Sequence, residues 1–178
     1  MDNRQRLREE IEATRQAYHR LLDSIPEQAY ALPSANPAWN VGQVLYHMSL
    51  APRFMVLDVQ MIGGQRWVYR LVPKIISRRL FDWLNARLTR FGARRISQAF
   101  LAQEYDRAHA ATLRALDALD EADLARSLPY PDWDPLLTGE VTMEYLFGYI
   151  QRHFNSHAEQ ISIAIAPQPV SQGRQGEG

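Results

Sequence analysis

Cysteine is absent from the 178 residues. No disulfide framework can form, no thiolate can ligate a metal, and thiol usage says nothing of the redox compartment. Any metal site must be built from histidine, carboxylate or water. No run of eighteen apolar residues occurs, so no transmembrane helix is expected. The opening Met1-Asp2-Asn3-Arg4 leads straight into a polar helical pattern without the apolar core of a signal peptide, and a cytoplasmic location is expected from it. There is no internal repeat, no Gly-rich phosphate loop and no stretch with clear period-two alternation. Net charge is absent too, at a formal value of zero, but the balance is uneven. Arg66, Arg70, Lys74, Arg78, Arg79, Arg87, Arg90, Arg94 and Arg95 crowd the middle of the chain around one acid, Asp82, while acids dominate from residue 96 onward. The basic middle carries no groove-reading motif, so nucleic acid is not expected as a partner.

What is present is helical periodicity. Hydrophobic residues make up 46% of the chain, enough for a core. Leu7, Ile11, Thr14, Tyr18, Leu21 and Leu22 mark a first amphipathic helix over 3–24, stopped by Pro26. Residues 26–39 read as a loop. Asn40 followed by Gln43 is a capping-box pattern that opens a second helix through Val44, Leu45, His47 and Met48. Pro52, more than two turns inside, predicts a kink or restart before the helix runs on to Gly63-Gly64. A third helix runs from its cap at Ser97 to about Leu119. Residues 120–138 form a Pro- and Asp-rich connection whose 129–135 core cannot be helical. A fourth helix is expected from about Gly139 to Ile165. The fold class expected is all-α: a four-helix bundle in one domain over 1–165, with one or two short helices inserted at about 65–95, broken near Pro73. The Gln/Gly-rich tail, 166–178, is expected to be flexible.

The last helix carries His153 and His157 at i and i+4. That spacing sets both rings on one helical face, about 5–6 Å apart at Cβ. Leu146, Ile150 and Ala164 share the face, so it points into a core. Two imidazoles on a core stripe call for a third ligand from another helix, and His47 is the candidate. Asp58 lies eleven residues beyond His47, about 16 Å along a straight helix, too far to share an ion. His19 and His109 lack comparable flanks.

The segments Trp39-Asn40-Val41-Gly42-Gln43-Val44-Leu45-Tyr46-His47, Thr142-Met143-Glu144-Tyr145-Leu146 and His153-(three residues)-His157-Ala158-Glu159-Gln160-Ile161 together resemble the DinB-like superfamily of metal-binding four-helix bundles. The resemblance spans 3–165 in helix order and is weakest over 65–95. It implies an unusual four-helix bundle with a divalent metal, zinc or nickel, on His47, His153 and His157. It further implies a small-molecule substrate and, by analogy with thiol-dependent relatives, a low-molecular-weight thiol as cosubstrate for a transferase; hydrolysis by an activated water is the other chemistry such a site supports. The rival reading is a non-catalytic stress-related or membrane-surface binding protein in which the metal clips the fold.

Three neutral imidazoles leave coordination positions open, as in catalytic zinc sites. Protons should compete with the metal near the ordinary histidine pKa of about 6.5. Trp39 and Trp133 are candidates for pocket walls, and Tyr46 and Tyr149 for hydrogen bonds to a substrate. Glu159 and Gln160 lie near His157 with no assignable contact. The large apolar residues of 65–95 must be covered by the bundle, by a second subunit in a homodimer, or by a membrane surface. The placement expected is a cap on the bundle end that restricts access to the metal.

Overall fold

The computed structural model describes residues 2–64 and 77–165. Helix α1, Asn3–Asp23, starts where the Asp2 carboxylate accepts a hydrogen bond from the backbone N–H of Arg4. It buries Leu7, Ile11, Thr14, Tyr18 and Leu22, the stripe its periodicity predicts. The following loop holds a short 3-10 turn over Glu27–Ala31. Helix α2, Val41–Gly64, opens on a complete capping box: Gln43 N–H donates to Asn40 Oδ1 at 2.8 Å and Asn40 N–H to Gln43 Oε1 at 3.1 Å.

Helix α2 runs through Pro52 without a break, so the expected restart does not occur. Neighbouring hydroxyls bond to carbonyls around it. Ser49 Oγ donates to Tyr46 O, and Thr112 Oγ1 reaches the Pro52 carbonyl at 3.3 Å. Of the basic segment, the described part is one α-helix, α3, Arg78–Gly92, capped by Ser77, followed by a 3-10 turn over Ala93–Arg95; the break expected near Pro73 lies outside the described residues. Helix α4, Gln98–Asp117, starts at the predicted Ser97 cap, whose hydroxyl accepts from Phe100 N–H. The short helix α5, Glu121–Leu124, follows.

The larger correction concerns residues 127–142. They form an antiparallel ribbon of β1, Ser127–Asp134, and β2, Leu137–Thr142, turned through Asp134↔Leu137 with an irregularity between Tyr130 and Asp134. The last helix, α6, Met143–Ile165, therefore begins four residues later than its hydrophobic pattern suggests. The ribbon hides from a period-two search because only Leu137 and Val141 of β2 are buried, four residues apart. Gly139 sits at φ +73°, in the left-handed region that glycine tolerates.

The four long helices α1, α2, α4 and α6 form the bundle. Helices α1 and α2 each pack on both α4 and α6. One core layer gathers Leu7, Ile11, Met55, Leu116, Leu146 and Phe147; the other gathers Tyr18, Leu22, Leu45, Leu101, Tyr105 and Ile161. On α6 the boundary between them falls at residues 150–154. Helix α3 leans outside the bundle against α2 and β1. Among the described residues no helix is long and apolar enough to cross a membrane.

Candidate metal centre

Two helices bring the three candidate histidines together. The capping box fixes the start of α2, and His47 lies in its second turn. The i, i+4 pair of α6 faces it across the bundle. The ring centroids of His47, His153 and His157 are 5.0, 4.8 and 4.5 Å apart in pairs. One nitrogen from each lies within 4.8 Å of the others. His47 Nε2 and His153 Nε2 face each other at 3.2 Å.

Two of the remaining nitrogens are oriented from outside the cluster. His47 Nδ1 is 3.3 Å from Thr89 Oγ1 on α3. His157 Nδ1 is 3.0 Å from Gln160 Oε1. With its Nδ1 proton held there, His157 turns a bare Nε2 lone pair away from Gln160. Gln160 is itself tied to the first loop: its backbone carbonyl accepts from Ala35 N–H at 3.2 Å. The Trp39 ring lies over His47 at 4.3 Å, and Tyr149 flanks His153 at 5.3 Å.

Burial favours the neutral form of all three rings. Desolvation, with a smaller contribution from the neighbouring His157, lowers His47 to about 3. The same causes, with His47 added, hold His153 well below its ordinary value. His157 is lowered by burial against the opposing pull of Gln160 and Asp134. Uncharged imidazoles converging in a buried space, with outer nitrogens oriented by Thr89 and Gln160, are the donor set that a divalent transition metal requires. These residues could hold such an ion.

A cavity of about 290 Å³ has His47 and His153 in its wall. Most of its lining is apolar, from Leu50, Ala51 and Met55 of α2, Leu84 and Leu88 of α3, and Leu137 of β2. Two tyrosine–carboxylate pairs interrupt that lining. Tyr130 Oη donates to Asp58 Oδ2 at 2.9 Å, and Tyr149 Oη donates to Asp134 Oδ2 at 2.5 Å. Burial and the adjacent carboxylates push both phenols far above their ordinary range, so both stay protonated.

Asp58 thus stands in the cavity wall, outside the histidine cluster. Trp133 also lines the cavity and stacks on Phe81 of α3 at 4.9 Å. Tyr46 does not reach the cavity; it packs near Phe100 and against Gly92. Glu159 is exposed. His19 bonds Asp106 at 2.7 Å, and His109 faces Glu12 at 3.1 Å; neither joins the three-histidine cluster. Sequence reasoning passed over Thr89, Asp134 and Tyr130. No local pattern marks them, because each meets its partner only through the ribbon or α3.

A protein-family model described as the DinB superfamily matches residues 10–161. No curated protein matches the chain.

Proposed function

We propose that this chain, which belongs to the DinB superfamily, is a metal-dependent enzyme acting on a small molecule, with His47, His153 and His157 as the metal ligands. Zinc or nickel is the metal assigned. The observation that carries the reading is the cavity: it runs from the faces of His47 and His153 to two polar pairs and is otherwise walled mostly by apolar side chains. A sealed structural site has no use for such a space.

A metal with open coordination positions supplies Lewis acidity, which lowers the pKa of a bound thiol or water. Of the two chemistries that follow, transfer of a low-molecular-weight thiol is the one assigned, by analogy with family relatives, and hydrolysis is the alternative. The chain's own residues bind and orient. Tyr149 keeps its proton at Oη in the hydrogen bond to Asp134, so its oxygen offers a substrate an acceptor; Tyr130 does the same with its proton on Asp58. Leu50, Ala51, Met55 and Leu137 exclude water and favour an apolar portion of the substrate.

One observation favours the non-catalytic alternative. The three histidines tie α2 to α6, so a metal there would brace the bundle whether or not it turns over a substrate.

The test begins with metal analysis of protein purified without an affinity tag. About one divalent ion per chain is expected, falling sharply in His153→Ala and staying put in His19→Ala. Equal occupancy in both variants removes the site. Thiol-transfer and hydrolysis assays on the loaded protein then separate enzyme from clip: a protein that binds metal, turns over neither class and binds no small molecule in the cavity is the clip.

A further inference from the structure

Helix α3 is amphipathic in a sense opposite to that of a packed helix. At 100° per residue, Phe81, Asn85, Thr89 and Gly92 lie along the side that meets the protein. Phe81 stacks on Trp133, Thr89 reaches His47, and the Gly92 Cα is so close to Tyr46 that an added Cβ would sit 2.1 Å from its ring. The apolar stripe of Leu80, Trp83, Leu84, Leu88 and Phe91 runs along the adjoining side. These residues are 41, 55, 38, 50 and 68% exposed, so the largest side chains of the helix are among the least covered.

The charges around this stripe are nearly all of one sign. Arg78, Arg79, Arg87 and Arg90 of the helix and Arg94 and Arg95 of the turn after it are exposed. Arg87 lies over the Trp83 ring at 5.2 Å and Arg94 over the Phe91 ring at 4.9 Å. Ion pairs among the described residues lie elsewhere in the fold, and none uses an arginine of this helix or of the turn after it. The only acid of α3 is Asp82.

From this arrangement we propose that α3 is a docking face for anionic lipid bilayers, lying in the headgroup plane with Trp83, Leu84, Leu88 and Phe91 inserted and the arginines on lipid phosphates. Exposed Trp, Phe and Leu interleaved with arginine on a helix of low mean hydropathy is the composition that binds at such an interface. Charge decides against a second copy as the occupant. A two-fold contact sets the same patch against itself, so six arginines would meet six arginines with one acid each to offset them. Lipid phosphate satisfies both halves of the patch.

The position of the cavity gives the docking a use. Leu84 and Leu88 belong to the exposed stripe and also line the cavity, as does Phe54 of α2, itself 45% exposed. The mouth of the cavity therefore opens beside the docking face, and an apolar ligand dissolved in the bilayer would reach the histidines without crossing water. The docking itself does not depend on the metal reading.

Flotation of the full-length protein with vesicles tests it. Vesicles of phosphatidylcholine with one-third phosphatidylglycerol should carry the protein, and pure phosphatidylcholine should carry at least tenfold less. Raising the salt from 50 to 300 mM should weaken binding severalfold. The Trp83→Ser/Phe91→Ser variant should lose at least tenfold in apparent affinity while keeping its metal content and helical circular dichroism. The Arg87→Gln/Arg94→Gln variant, altered only at solvent-facing positions, should lose binding and its salt dependence together. Failure to float with anionic vesicles overturns the proposal, as does flotation equal to wild type in both variants. A concentration-dependent dimer that the serine pair abolishes, without vesicle binding, would assign the face to a second copy instead.

Discussion

Thr89 and Gln160 each hold one imidazole by its outer nitrogen, and their loss should be felt at the metal. Partners of this kind typically contribute 10–100-fold in metal affinity. Thr89→Val keeps the shape of a fully buried side chain and deletes its oxygen. Its metal Kd should rise by about tenfold or more against a competing chelator, with the fold intact by circular dichroism. An unchanged Kd would mean that His47 is oriented by packing against Trp39 alone. Protonation is the second matter at this scale. Three unperturbed imidazoles would lose roughly 10⁴-fold in affinity between pH 8 and 5. Here burial lowers His47 to about 3 and His153 well below 6.5, leaving His157 as the ring closest to ordinary titration. Affinity should therefore fall by no more than about 30-fold over that range. The window expected from the sequence thus moves toward acid. The sign for the metal-free fold follows the same shifts. The unfolded chain takes up protons near 6.5 and the folded one does so only near 3, so stability is full above pH 6.5 and is lost as pH falls from there toward 3. Melts of metal-free protein at pH 7.5, 6, 5 and 4 should show a falling Tm; a flat series would place the histidines in water.

At the scale of elements, α3 is held by a close approach. Gly92 lies where a Cβ would meet the Tyr46 ring, and that ring is buried alongside Phe100. Gly92→Ala should cost about 1–3 kcal/mol of stability in urea titration and should weaken metal binding through Thr89. A stability change below about 0.5 kcal/mol would show that Tyr46 yields easily. The contrast with α2 explains which elements could be read in advance. Asn40 and Gln43 cap α2 within three residues, so sequence and structure agree there. His153 and His157 share a face by helical spacing alone. The ribbon and α3 lack such local codes. Pro129 and Pro131 disguise β1, and the buried residues of β2 recur at four, not two. For α3 the amphipathic pattern is plain, but it points to a helix packed by its apolar face, whereas Thr89 and Gly92 dock the other face. Two members of the histidine cluster, His153 and His157, were legible together because they repeat along one helix. The cavity's polar pairs were not, because Tyr130–Asp58 spans 72 residues and Tyr149–Asp134 crosses from a strand to a helix.

For the molecule as a whole, an ion shared by α2 and α6 would bind the folded state alone. At a free metal concentration a hundredfold above Kd it should add about 2.7 kcal/mol, and the Tm of a chain this size should rise by roughly 5–10 °C. His153→Ala should show no such rise; a rise of equal size in that variant would put the metal elsewhere. The separation of the ligands has a further consequence. His47 and His153 are 106 residues apart, and the second ligand-bearing helix is the last element described. Their meeting closes a long loop, and such contacts tend to form late on the folding path. An ion that needs both helices would then have nothing to grip in the folding transition state. Added metal should leave the refolding rate nearly unchanged and slow unfolding by about a hundredfold at that concentration. Stopped-flow refolding accelerated in proportion to metal would place the α2–α6 contact early instead. The two helices would, on this ordering, be committed to each other before the ion arrives, and the ion would act as a lock on the finished fold.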